Sequence, residues 1–243
     1  MNQRTTGESR QRLRAWLRTR LGRLLIQRER ELVADALEDV FGFQLLQIGG
    51  WGESGRFFEA ARTQRQWVVA SSPEVQADVR CKTSELAIAS DSVDAILLPH
   101  TLEFESDPHA VLREVERVLV SEGQLLVLGF SPVGTWALRH RLSEVGFPPG
   151  LARFISERRL RDWLALLGFE VSTARGYLFR MPIAPRGPLE SPETIRDSRG
   201  ILPANAYLLK ARKRVYALTP LRLKKRERLA IVGGLEPTTR LRA

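Results

Sequence analysis

Leu45 to Ser54 reads LLQIGGWGES: an apolar run meets Gly49, Gly50 and Gly52 within four residues and then enters a helix-like pattern. Glycine lacks a Cβ and tolerates φ > 0, so such a loop either lets a nucleotide-like ligand approach the main chain or makes a tight turn. Groups able to move protons or hold metals are few. The chain has three histidines, His100, His109 and His140, and one cysteine, Cys81. None has the paired spacing of a zinc centre, and no motif around Cys81 makes it a nucleophile, so an inert thiol is expected there. A single cysteine also excludes an internal disulfide framework and fits a reducing compartment.

Such residues work only if the fold brings them together. Short apolar runs at 43–48, 67–70, 93–98 and 124–129 alternate with stretches of helical periodicity, and two more strands are expected at 169–177 and 206–212. This alternation predicts an α/β fold: a mostly parallel, doubly wound sheet, buried on both faces by helices. Leu13, Trp16, Leu17, Leu21, Leu24 and Leu25 follow the spacing of one amphipathic helix. A second is expected from about 29 to 40, stopped at Gly42. Others are expected from about 54 to 62, from Pro108 to Leu119 with Asp107 as N-cap, and from Ser156 to near Gly168. Residues 181–203 read as a long Pro-, Arg- and Gly-rich loop, and the chain beyond Thr219 as disordered. The expected division is a basic helical extension at 1–42, the α/β domain at 43–214 and a basic tail at 215–243. Ligands of doubly wound sheets bind beyond the carboxyl ends of the strands, where strand order reverses. The loops after Ile48, Ala70 and Leu98 are therefore the candidate site.

A chain of 243 residues can bury one sizeable core. Its net charge of +10 lies at the ends: residues 1–30 hold nine Arg against two Glu, and residues 212–243 hold ten Lys or Arg against two Glu. The body between is mildly acidic. Basic ends of this kind could contact RNA, DNA or an anionic membrane surface, or stay solvated. No apolar run approaches the roughly 20 residues that cross a bilayer. The start lacks the short apolar core of a secretory signal. A bacterial cytoplasmic protein is expected, ahead of the organelle transit peptide that a basic amphipathic start also resembles.

Ser90 to Phe130 reads SDSVDAILLPHTLEFESDPHAVLREVERVLVSEGQLLVLGF. Ser92-Val93-Asp94, His100, Leu112-Arg113-Glu114, Arg117-Val118-Leu119 and Gly123 stand in the order found in the centre of class I S-adenosylmethionine-dependent methyltransferases, which this segment resembles. The superfamily resemblance covers about residues 43–180. The details LLPHTLEF, DPH and LGFSP, with the later LLKARKRV, resemble a small, poorly characterised bacterial branch of methyltransferase-domain proteins.

The resemblance implies S-adenosylmethionine as cofactor, cradled by Gly49, Gly50 and Gly52. Where the family has an acid before the loop, this chain has Gln47; where it has a second glycine, Trp51; where an acid would hold the ribose hydroxyls, Ala70 with Ser71 beside it. Asp78 is the counterpart of an acid near the adenine, and Leu98 and Pro99, at the strand end before His100, complete the expected cofactor-binding residues. Losing two hydrogen bonds to charged groups would weaken binding by roughly a hundredfold or more. Methyl transfer is an in-line displacement that depends chiefly on positioning. His100 is the expected base if the acceptor carries a proton, followed by Glu103. Leu98-Pro99-His100-Thr101 differs from the Asp/Asn-Pro-Pro-aromatic loop of enzymes that methylate amino groups of bases or glutamine, which disfavours that chemistry.

The methyl acceptor, whether small molecule, RNA or protein, is not specified, nor is the oligomeric state. Another class of function stays open: a methyltransferase-like binding or regulatory module with weakened cofactor binding, contacting nucleic acid or a partner through its basic ends. A nicotinamide dehydrogenase is disfavoured, because the loop lacks a clean G-x-G-x-x-G and no acid ends the second strand.

Overall fold

A computed structural model describes residues 11–52, 57–58, 60–73, 75–144, 146–179 and 203–214. Six strands form one sheet: β1 (Gln44–Ile48), β2 (Arg65–Val69), β3 (Val93–Pro99), β4 (Leu119–Phe130), β5 (Phe169–Tyr177) and β6 (Ala206–Lys213). Their order is β2-β1-β3-β4-β6-β5. The first four run parallel, and β6 lies antiparallel between β4 and β5. The expected sheet is present, in the arrangement that puts helices on both faces.

Residues 11–17 are helical (α1), followed by α2 (Arg20–Leu37), α3 (Pro108–Val118), α4 (Thr135–Leu142) and α5 (Glu157–Leu166). On one face, leucines of α1 and α2 pack with Trp136 of α4 against Leu45, Leu97, Leu126 and Leu208. On the other, Val111 and Val115 of α3 and Leu160 and Leu164 of α5 cover Leu46, Ile96, Leu98 and Leu125. Side chains alternate between faces along each strand, so a sheet covered on both faces takes runs of consecutive apolar residues, such as Ala95 to Leu98 and Leu125 to Leu128.

Two local predictions need correction. The two N-terminal helices meet near Thr19, not between Leu25 and Glu29. The Thr19 hydroxyl donates to Trp16 O at 2.6 Å, closing α1, and accepts from Gly22 N at 3.3 Å, opening α2. The described residues between 57 and 62 are not helical. Helix α4 carries the Arg-rich run around His140, and only its start could not be read locally, because its cap comes from far along the chain: Asn205 Oδ1 accepts from Trp136 N at 2.8 Å, while the N-cap, Gly134, offers no side chain. The caps at Asp107 and Ser156 are as expected, each accepting a hydrogen bond from the first turn. The loop at 181–203 falls, except for its last residue, outside the described residues, as does everything beyond 214.

Candidate functional site

Strand order reverses between β1 and β3: the chain goes from β1 outward to β2, then returns to β3 on β1's other side. A cavity of about 250 Å³ opens there, at the carboxyl ends of β1, β2 and β3. Gly49, Gly50, Trp51 and Gly52 form one wall, Ala70 to Ser72 a second, and Pro99, His100 and Thr101 the floor. Leu13, Arg14 and Leu17 of α1, with Arg18 just after it, complete the lining.

The glycine loop is built into the protein on every side. Gly49, at φ +87°, leaves no room for a Cβ, which would stand 2.7 Å from the Thr101 hydroxyl. That hydroxyl donates to Ile48 O and ties the end of β1 to the β3 loop. A Cβ at Gly50 would strike Val75, and one at Gly52, at φ +75°, would come within 3.2 Å of Ile26. The small residues therefore answer first to the packing of the loop against α2, the β3 loop and the connection after β2.

Behind the cavity lies a buried polar cluster. His100, at φ +54°, is wholly enclosed, with both ring nitrogens bound to carboxylates: Nδ1 to Glu103 Oε2 and Nε2 to Glu29 Oε1, each at 2.8 Å. Two carboxylates can only accept, so the ring donates twice, as imidazolium. Burial opposes that charge most strongly, but Glu29 and Glu103 outweigh it and raise the His100 pKa to about 9. Burial also raises the pKa of Glu103, against the pull of His100. The ring packs against two aromatic neighbours, Trp51 (centroids 4.3 Å apart, 33° between planes) and Phe130 (4.2 Å, 29°), the kind of company a cation favours. Glu29 also accepts from the Trp51 indole at 2.6 Å and the Tyr177 hydroxyl at 2.8 Å, and Phe130 N donates to Glu103. Burial, with Glu29 next, pushes the Tyr177 phenol well above its ordinary range. One cluster thus joins α2, the glycine loop and the ends of β3, β4 and β5.

Of the residues expected to bind cofactor, Gly49, Gly50, Gly52, Ala70, Ser71 and Pro99 line the cavity. Gln47 lies beneath the loop: its amide donates to Gly49 O at 2.8 Å and accepts from Phe57 N at 2.9 Å. Asp78 clasps β2, accepting from Val68 N at 2.8 Å. Leu98 packs in the core on the other face. His100 lines the cavity and Glu103 does not, and both turn their polar atoms into the cluster.

Sequence reasoning missed Glu29 and Tyr177. Glu29 had a legible signal, because it stands in phase with Leu25, Ile26, Leu32 and Val33 on the buried stripe of α2. An acid there needs buried partners.

A methyltransferase domain family model matches residues 54–127. The uncharacterized protein YafS of Escherichia coli (strain K12) is 37% identical over 133 residues, 54% of this chain and 55% of that protein. An uncharacterized protein of Mycobacterium tuberculosis is 39% identical over 100 residues, 40% of this chain and 35% of that one. The chain thus spans about half the length, or less, of these relatives. Among solved structures, a SAM-dependent methyltransferase of Thermotoga maritima superposes with a TM-score of 0.60 at 21% identity, covering 80% of this chain and 91% of that one. One from Archaeoglobus fulgidus gives 0.55 at 18% identity, covering 76% and 94%. Residues 54–127 thus match a methyltransferase domain, and the chain has the fold of SAM-dependent methyltransferases of known structure. Among the described residues, no helix is long and apolar enough to cross a membrane.

Proposed function

We propose that the chain binds S-adenosylmethionine in the cavity at the β1–β3 reversal and transfers its methyl group to an acceptor. The observation that carries this is the coincidence of cavity, glycine loop and topological switch point. The main chain of residues 49–52 would hold the methionine arm, with Arg14 and Arg18 offering positive charge to its carboxylate. The Ser71 hydroxyl and the main chain at Ala70 would take the ribose, and Gln76 and Thr83 would serve the base; all line the cavity. When bound, the cofactor supplies a methyl group activated by the sulfonium, and the protein's part is to hold the acceptor in line.

The acceptor would enter above the loop after β3, under α1. His100 and Glu103, committed to each other and to Glu29, serve this reading as the rigid floor. An acceptor that must lose a proton would need another base or an opened cluster. The acceptor class, a bacterial cytoplasmic setting and any contact of the basic ends with nucleic acid belong to the same proposal.

A second reading, a binding or regulatory module with weakened cofactor affinity, draws on Gln47, turned away from the cavity, and on Ala70, which has no acceptor side chain. Titration with S-adenosylhomocysteine separates the two. Micromolar binding supports the enzyme, and none up to millimolar favours the module.

A further inference from the structure

We propose that Glu29 is a positioning residue for the cofactor loop, acting through the indole of Trp51, which forms part of the ligand-binding wall. This rests on the reading of the cavity as a cofactor site. Trp51 stands between Gly50 and Gly52, residues that leave the main chain more freedom than any others. A loop so composed holds one shape only if something anchors it. Trp51 borders the cavity yet is only 3% exposed. Its indole N–H reaches the fully buried Glu29 at 2.6 Å, and its ring leans on His100.

Glu29 is fixed in turn from three directions. One oxygen takes the indole, while the other takes both the His100 imidazole and the Tyr177 hydroxyl. The carboxylate rides on α2, so the helix that follows the cavity's α1 wall also sets the cavity's glycine wall. A pre-set loop binds its ligand without first being ordered, and that saving appears as affinity.

The test is calorimetric titration of the full chain with S-adenosylhomocysteine, using Trp51→Phe, Glu29→Gln and the double variant. Trp51→Phe keeps an aromatic ring on the wall but removes the donor, together with part of the indole's packing, and the double variant separates the two effects. Loss of one charge-assisted hydrogen bond predicts an affinity drop of at least about fivefold in each single variant. Because Glu29 acts through Trp51, the double variant should lose no more than the worse single one. The Trp51 indole N–H resonance, identified by its absence in Trp51→Phe, should shift when ligand is added to the wild type and sit elsewhere in Glu29→Gln. The proposal is overturned if Trp51→Phe loses less than fivefold or if the two effects multiply. If Glu29→Gln does not fold, Glu29→Asp, whose shorter side chain withdraws the carboxylate from the indole, takes its place in both readouts. Wild-type protein that binds no ligand would overturn the cavity reading itself. Wild-type binding matched by unimpaired Trp51→Phe would overturn the positioning claim alone.

Discussion

His100 donates from both ring nitrogens, to Glu29 on α2 and Glu103 beyond β3, and so binds two carboxylates 74 positions apart in the sequence across the floor of the cavity. The trio is wholly enclosed and carries one net negative charge, eased by the Trp51, Tyr177 and Phe130 donors. Taking away the cation would leave two buried carboxylates facing each other.

His100→Ala should therefore cost about 3–5 kcal/mol of folding stability, the usual penalty for orphaning a buried ion partner. Urea denaturation of wild type and variant measures it. A variant as stable as wild type would mean that the cluster is not ionised. Lost activity in this variant would not identify a base, since the floor itself is disturbed.

The same cluster predicts a pH dependence. The folded pKa of His100, about 9, lies above its ordinary 6.5. Its stabilisation is then fully present below pH 6.5 and is lost as pH rises through 9, at up to about 1.4 kcal/mol per pH unit. Glu103, also raised, contributes with the same sign at lower pH. Denaturation midpoints should fall between pH 6.5 and 9, and a flat profile would contradict the imidazolium assignment.

Much of the fold was legible because its strands are continuous apolar runs and its caps are local, as at Asp107 and Ser156. The start of the helix at Thr135–Leu142 was not, since Asn205 caps it from 69 residues beyond Trp136. The glycines were legible as a loop, but their reasons are tertiary: Thr101, Val75 and Ile26 fill the spaces that side chains would need. Gln47 and Asp78 were placed by resemblance at the cofactor, yet their side chains meet the main chain at Gly49, Phe57 and Val68. Glu114 and Arg117, read as motif residues, now have a physical role. Glu114 accepts from Leu86 N at 2.7 Å, and Arg117 donates to the Leu86 and Ile88 carbonyls, each at 3.0 Å.

Arg117→Ala should accordingly free the 86–90 connection from α3 and lower stability by about 1.5–3 kcal/mol. Arg117→Lys should recover only part, because an ammonium lacks the planar fork that meets two carbonyls and a carboxylate together. Full recovery by lysine would mean that charge alone matters there.

Gly49→Ala should destabilise the chain by about 1–3 kcal/mol through its positive φ, beyond any effect on ligand. The contact with Thr101 adds to that cost. Thermal unfolding of the variant checks this; an unchanged midpoint would show that the loop relaxes freely. Ser71 is the better place to block the cavity, being exposed on its wall.

The central claim is that the cavity holds the cofactor, and calorimetric titration of wild type and Ser71→Arg with S-adenosylmethionine and S-adenosylhomocysteine tests it most directly. The account predicts micromolar binding by the wild type and its loss in Ser71→Arg, with unfolding midpoints alike. Wild-type protein that is folded and binds neither compound up to millimolar, or a Ser71→Arg variant that binds as tightly, would contradict it.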